Sequence, residues 1–309
     1  NIYLAMERVL ITGALGQLGH EFIKFLKKKN IYVLASDIRH PKEKLNCDFE
    51  IVDAMDNERL NIVVKKYNIN TIYHLVAVLS ASGEKNPFKS WKINMESFQN
   101  IIKVSIENKI QKIFWPSSIA VFGTKSNLEN VSQDPILNPN TIYGISKLAG
   151  EKLISYYNEK YDLDIRSLRY PGIISFESKP GGGTTDYVME MIESLKKGED
   201  YICYLEKDTR LPMLYIEDAI LGTIKFMSSK RKNLNVKESY NITGFSITPE
   251  ELELKLKENG CIGNVIYKPD YRNQIAKTWP KNINDNIAKE DWNWKANFGL
   301  INTLEQAFK

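Results

Sequence analysis

The stretch Gly13-Ala14-Leu15-Gly16-Gln17-Leu18-Gly19 restricts the fold more than any other part of the chain. It follows a short apolar, β-branched run at residues 8–12 (RVLIT), and apolar residues then recur at helical spacing from 17 to 26. Strand, glycine turn and helix in that order begin a parallel α/β sheet. In such a turn Gly13, Gly16 and Gly19 let the backbone come close to a bound pyrophosphate. The helix that starts at Gln17 and Leu18 adds unpaired amide donors and positive potential.

Later segments continue the alternation. A second apolar run, 31–35, ends at Ser36-Asp37, and a third, 71–76, follows a helical pattern at 58–67. Residues 91–106 and 143–157 read as helices and 112–116 and 165–170 as strands, so the sheet extends past residue 110. Residues 127–140, rich in Asn, Pro and Asp, read as a loop, and Gly181-Gly182-Gly183 is the strongest break in the chain. Beyond it the helical patterns at 189–196, 218–228, 249–258 and 301–308 are shorter and less regular. The reading is a Rossmann-type, doubly wound α/β domain over 6–175 that binds a cofactor. A smaller substrate lobe over 176–309 follows, with some chain returning to the first domain. A length of 309 residues suits this division.

Asp37 lies roughly 20 residues beyond the glycines at the end of the second strand, where a carboxylate accepts the hydroxyls of an adenosine ribose. It would repel a 2′-phosphate, so NAD is expected over NADP. Arg39 opposes that expectation, since an arginine here can hold the phosphate, or it can lie over the adenine. Asp53, just after Ile51-Val52, is placed either to reach the adenine or to stand in a solvated loop.

Tyr143 and Lys147 are four apart on a helical segment and share one face. The spacing alone proves little, because Tyr156 and Lys160 repeat it. Position separates the two pairs. Tyr143 opens its helix after the Pro139-Asn140 loop and Ser117-Ser118 ends the preceding strand, so both converge on the carboxyl edge of the sheet, where ligands bind. Tyr156 is roughly 20 Å further along the helix and reads as a packing residue. An ammonium and a cationic nicotinamide ring beside a phenol would lower its pKa by about three units from about 10, giving a usable base near neutrality. Ser118 would hold the reacting oxygen for proton transfer.

Composition removes other classes. Hydrophobic residues make up 43% and charged residues 26%, enough for a packed core. The net charge of +4 is spread without a basic stripe interleaved with aromatics, so no nucleic-acid partner is expected. Cys47, Cys203, Cys261 and three His form neither a disulfide framework nor a metal-ligand cluster, so no metal is expected. No apolar run approaches the roughly 20 residues that span a bilayer, and no membrane partner is expected. Residues 1–5 precede Met6, a candidate start, and stand outside the fold reading. With no signal-peptide pattern, a reducing cytoplasm is the expected setting.

Together these motifs resemble the extended short-chain dehydrogenases/reductases, the NAD-dependent epimerase/dehydratase family, over nearly the whole chain. The resemblance rests on the glycine turn, Asn94, Ser117-Ser118-Ile119-Ala120-Val121-Phe122-Gly123, the Tyr143/Lys147 pair and Arg169-Tyr170-Pro171-Gly172. It implies that Ser118 is the catalytic serine. It also implies that Asn94, Leu75 and Tyr170 to Gly172 line the cofactor site, and that Lys147 serves both catalysis and cofactor.

Within that family the C-terminal half is similar to the short-chain type of L-threonine 3-dehydrogenases. The matching segments are Pro180-Gly181-Gly182-Gly183-Thr184-Thr185-Asp186-Tyr187, Thr209-Arg210-Leu211-Pro212-Met213, Thr278-Trp279-Pro280 and Asp291-Trp292-Asn293-Trp294-Lys295. The similarity implies oxidation of L-threonine to 2-amino-3-ketobutyrate with NAD, a small amino-acid substrate and a homodimer built through two helices. In physical terms, Arg210 offers a two-pronged partner for an α-carboxylate, and Thr184 and Thr185 offer hydroxyls. Trp279 offers a cover, and Ser80, Ser118 and Tyr143 complete the substrate site. Each has a plainer reading as well: a surface ion pair for Arg210, a helix cap for the threonines, a core residue for Trp279. Two other functions fit the fold. A nucleotide-sugar epimerase or dehydratase would need further cations for its diphosphate. A redox-sensing NAD-binding protein would have no use for the Tyr/Lys pair.

Overall fold

A computed structural model describes residues 7–177 and 181–309; Met6 and Pro180, named above, lie outside the described residues. In chain order the first half runs β1 (Arg8–Thr12), α1 (Gln17–Lys28), β2 (Tyr32–Asp37), β3 (Asp48–Ile51), α2 (Asn57–Lys66), β4 (Thr71–His74), α3 (Ser80–Glu84) and α4 (Pro87–Asn108). It continues through β5 (Lys112–Phe114), β6 (Ser117–Ser118), α5 (Ile142–Tyr161), β7 (Ile165–Arg166), β8 (Leu168–Tyr170) and β9 (Gly172–Ile174). The second half holds α6 (Tyr187–Lys196), β10 (Tyr201–Cys203), β11 (Leu211–Tyr215), α7 (Ile216–Ser228), β12 (Tyr240–Asn241), β13 (Phe245–Ile247) and α8 (Pro249–Glu258). β14 (Val265–Tyr267), α9 (Tyr271–Ala276), α10 (Asn286–Trp292) and α11 (Leu300–Ala307) complete it.

The central sheet has six parallel strands in the order β3-β2-β1-β4-β5-β7. Its strands are covered on both faces, and β1 shows why its sequence is a continuous apolar run. Val9 and Ile11 pack with Phe22 and Leu26 of α1 and Ile220 of α7, while Leu10 between them packs with Leu60 of α2, Phe98 of α4 and Ile154 of α5. The strand order reverses between β1 and β4, which opens a crevice at their carboxyl ends. That crevice carries the site.

Several elements differ from the sequence reading. β3 is a strand although no apolar run marks it, because it lies at the sheet edge with its residues half-buried or exposed. The run read as one strand at 165–170 breaks at Ser167. β7 stays in the main sheet, and β8 turns into a separate three-stranded sheet with β6 and β12. In that sheet Ser117 pairs with Arg169 and Ser118 with Tyr170. Tyr156 is not buried by packing. It stands 53% exposed on the outer face of α5, edge-on to Tyr157, because its place on the helix turns it to solvent.

After the triple glycine the chain adds β11 and β13 to the earlier β9, pairs β10 with β14, and sets the helices α6, α8, α9 and α11 around one apolar cluster that also contains Tyr143 and Trp279. α7 instead lies beside α1 and α10 against β12, with Trp292 and Trp294 in the apolar cluster that α1 shares with the central sheet. α9 and α10, of 6 and 7 residues, are too short to produce a helical periodicity. No helix among the described residues is long and apolar enough to cross a membrane.

Candidate active site

The glycine turn joins β1 to α1. Gly13 has φ +71°, and a Cβ there would stand 3.0 Å from the amide nitrogen of Val76, so only glycine closes the turn against the end of β4. Gly16 is the N-cap of α1 and Gly19 lies in its first turn against Ala14. No side chain caps α1 and no acidic residue sits in its first turn, which leaves the helix N-terminus open to an anion. Asp37 braces the same turn: its carboxylate accepts from the Leu15 amide at 3.2 Å and from the Arg39 amide and Nε at 3.2 Å. Arg39 is 67% exposed and is tied to that buried carboxylate. Asp53 is exposed just beyond β3 and caps a local turn by accepting from the Met55 amide at 2.9 Å.

α5 carries Tyr143 and Lys147. Thr141 caps it by accepting from the Gly144 amide at 3.0 Å. A Cβ on Gly144 would lie 2.2 Å from the Ala120 carbonyl oxygen, so the first turn of α5 rests directly on the backbone just after Ser118. This contact brings Tyr143 and Ser118 together. The Ser118 hydroxyl, which accepts from the Ala120 amide at 3.2 Å, lies close enough to the Tyr143 phenol to lower its pKa, while Ser117 donates at 2.6 Å to Glu151, a fully buried carboxylate also held by Arg169 at 2.9 and 2.8 Å. The two serines are therefore already divided, one toward the phenol and one toward the core.

Lys147 is buried, donates to the Pro116 carbonyl at 2.6 Å and lies 4.1 Å over the Trp115 ring. Burial lowers its pKa to about 7, against the opposing pull of Glu151. Tyr143 departs from the sequence expectation. Burial pushes it up to about 12, against the hydrogen bond from Ser118. The expected lowering required a cationic nicotinamide ring beside the phenol; in the protein alone, desolvation of the phenolate outweighs the hydrogen bond from Ser118.

One cavity of about 150 Å³ collects most of the remaining residues. Its walls include Gln17, Leu18, Leu75, Tyr170 and Gly172 on the sheet side, with Ser118, Tyr143 and Lys147 at the centre. Ser80, Thr184, Thr185 and Trp279 lie on the far side. Ser80 and Thr184 are within 3.0 Å through their hydroxyls, across two loops far apart in sequence. Tyr170 is fixed by a hydrogen bond between its hydroxyl and that of Thr223 on α7.

Two sequence candidates lie elsewhere. Asn94 is buried on α4, but its carboxamide is engaged with the Val78 amide at 2.7 Å, the Val78 carbonyl at 3.1 Å and Ser146 at 3.2 Å. It shapes the loop after β4 and does not line the cavity. Arg210 corrects the expectation of a carboxylate anchor. Its guanidinium pairs with Glu251 and donates to the Ser246 carbonyl at 3.2 Å, in a separate surface pocket shared with Asp208 and Glu250. The acidic first turn of α8 draws it there.

Asp186 was missed. It lines the cavity, accepting from the Gly182 and Gly183 amides at 2.8 Å each; burial raises its carboxyl pKa while these amides and Arg272 pull it down. An Asp just before a helix reads as an ordinary cap, which hid it. Among the described residues no group of three or more His, Cys, Asp or Glu could hold a metal.

The model of the NAD dependent epimerase/dehydratase family matches residues 9–243. The chain belongs to that family. As a member of the NAD dependent epimerase/dehydratase family it is an NAD-dependent oxidoreductase, and its residues fit the cofactor: the Gly13 turn that a Cβ would close, the uncapped start of α1, and Asp37 above both. It is similar to the mitochondrial L-threonine 3-dehydrogenase of Bos taurus, 40% identical over 95% of this chain and 80% of that one. An uncharacterised epimerase/dehydratase of Staphylococcus haemolyticus is 37% identical over 98% of this chain and 97% of its own. Among solved structures, the holo form of a GalE-like L-threonine dehydrogenase from Cupriavidus necator superposes with a TM-score of 0.95, at 39% identity over 97% of this chain and 98% of the other. These likenesses cover both halves of this family member.

Proposed function

We propose that this protein oxidises L-threonine to 2-amino-3-ketobutyrate, and the observation that carries the proposal is the lining of the cavity around Tyr143. Ser80, Ser118, Tyr143, Thr184 and Thr185 bring five hydroxyls to its walls. Its described walls hold one carboxylate, Asp186, and one cation, Lys147, and no arginine. A nucleotide diphosphate would leave its phosphates without cationic partners there, whereas a zwitterion with a single hydroxyl matches a carboxylate and a group of hydroxyls.

In this reading Asp186 receives the substrate ammonium, and the hydroxyls of Ser80, Thr184 and Thr185 receive its carboxylate. Ser118 holds the reacting hydroxyl, Tyr143 takes its proton, and Lys147 favours the phenolate through its charge. Trp279 excludes water from one side. Bound NAD supplies the hydride acceptor for the carbinol carbon. The residues that would hold it are Gly13, Gly16 and Gly19, Gln17 and Leu18 at the start of α1, Asp37 and Asp53 on the adenosine side, and Leu75, Lys147, Tyr170 and Gly172 nearer the reacting carbon. Asn94 would act on it only through the Val78 loop.

The test is to supply purified protein with NAD and L-threonine and follow NADH. Steady NADH formation supports the reading. No NADH from L-threonine, with turnover of a nucleotide sugar, overturns it. The two-helix homodimer is a further part of the proposal, supported by large apolar residues exposed on α4 and α5, with Phe88 at 88% and Trp91, Ile145 and Tyr156 beside it in kind. Light scattering that reports a monomer at assay concentration would exclude it.

A further inference from the structure

One short stretch, residues 271–279, reaches three walls of the cavity. Tyr271, the first residue of α9, donates its hydroxyl to the Ala81 carbonyl at 3.3 Å, directly beside Ser80. Arg272 lays its guanidinium 3.2 Å from the centre of the Tyr204 ring, and Tyr204 donates its hydroxyl to the Thr184 carbonyl at 3.2 Å. Thr278 donates its hydroxyl mainly to the Ile275 carbonyl at 2.7 Å, inside its own segment, and shares it with the Asn140 carboxamide oxygen at 3.2 Å, Asn140 being the residue before the Thr141 cap of the helix that carries Tyr143. Trp279 then enters the cavity wall itself.

None of Tyr271, Arg272 and Thr278 lines the cavity, so packing around a ligand does not explain them. Tyr271 is 47% exposed, so burial of its ring does not explain it either. What they share is that each touches the backbone or cap next to a residue of the site, or a side chain that does. The Ser80–Thr184 hydroxyl contact joins two of the three walls, and the stretch joins both of these to the third.

We infer that residues 271–279 form a strap that sets the shape of the substrate pocket, with Tyr271 a positioning residue for Ser80 and Thr278 a positioning residue for Tyr143. This rests on the reading of the cavity as the site for a small hydroxylated amino acid. The two ends of the strap act on different steps. The Tyr271 end holds hydroxyls that bind the substrate carboxylate in ground state and transition state alike, so its loss weakens binding. The Thr278 end holds the first turn of the helix that presents the base, so its loss slows the chemical step.

The experiment compares Tyr271→Phe and Thr278→Val with the wild-type chain, each saturated with NAD, over a range of L-threonine concentrations, with melting temperature measured alongside. Losing one neutral hydrogen bond corresponds to a change of about threefold to tenfold. Tyr271→Phe is expected to raise KM by that factor with kcat within about twofold, and Thr278→Val to lower kcat by that factor with KM nearly fixed. A merely structural role would move both parameters together in both variants and lower the melting temperature in each, and that result overturns the strap; unchanged parameters overturn it equally. If the wild-type chain makes no NADH from L-threonine, the substrate reading fails by itself, and the same split is then sought with the substrate that the chain does oxidise.

Discussion

The ammonium of Lys147 stands 5.6 Å from the centre of the Tyr143 ring, one turn along α5, yet it donates its hydrogen bond to the Pro116 carbonyl. The ammonium is therefore held beside the phenol by the segment that leads into Ser118. Replacing Tyr143 with Phe should lower kcat by roughly 10²- to 10⁴-fold and leave NAD affinity nearly unchanged, since the hydroxyl lies outside the adenosine side. Tyr156→Phe, on the exposed face of the same helix, should be silent. Activity retained in the first variant and lost in the second would mean that the wrong pair has been chosen.

Because burial holds Tyr143 at about 12, the basic form needed for oxidation is scarce at neutral pH. The active fraction of the free enzyme grows as the phenol loses its proton. Accordingly kcat/KM for alcohol oxidation should climb between pH 7 and 9, by up to about tenfold per unit. A flat profile over that range would point to a different proton acceptor.

His74 gives a pH effect on stability that is separate from catalysis. It is fully buried at the end of β4, 2.6 Å from the Thr12 hydroxyl and 3.0 Å from that of Ser97; burial, with the charge of Lys147, lowers its pKa to about 3. Between pH 6.5 and 3 the unfolded chain therefore binds a proton that the folded chain refuses, so stability falls as pH drops through that window. The slope from this one group is about 1.4 kcal/mol per pH unit at most. Urea midpoints measured from pH 7 to 4 should fall more steeply for the wild-type chain than for His74→Gln. Parallel slopes would show that His74 is not the group responsible.

Arg210→Lys should leave the KM for L-threonine unchanged, because the guanidinium is engaged with Glu251 outside the cavity. Asp186→Asn should raise it by about tenfold to a hundredfold, the cost of losing a charged partner for an ammonium. The opposite pattern would restore Arg210 as the anchor and remove Asp186.

Cofactor titration tests Asp37. With its carboxylate held over the glycine turn and Arg39 largely in solvent, NAD should bind more tightly than NADP, and Asp37→Ser should narrow the gap. Equal affinities in the wild-type chain would assign the pocket to Arg39.

How much of this was legible in the sequence follows the range of the interactions. The glycine turn, the strand that precedes it and the Tyr143/Lys147 helix are local patterns, set by backbone geometry and periodicity within a dozen residues, and they announced the sheet and the family. β3 and the short helices α9 and α10 were not legible, because an edge strand and a two-turn helix take their stability from contacts made elsewhere in the chain.

At the site itself, sequence determined which side chains could do the chemistry, and tertiary structure decided which of them meet. The division between Ser117 and Ser118 depends on the buried Glu151–Arg169 pair, and the loss of Arg210 depends on the acidic start of α8, a helix that begins some 40 residues later. The pKa of Tyr143 moved up rather than down because desolvation is a property of the folded surroundings and of no residue pattern. Hydrogen bonds such as Ser80 to Thr184 or Tyr271 to Ala81 join residues more than 100 positions apart, and no local signal records a partner at that distance.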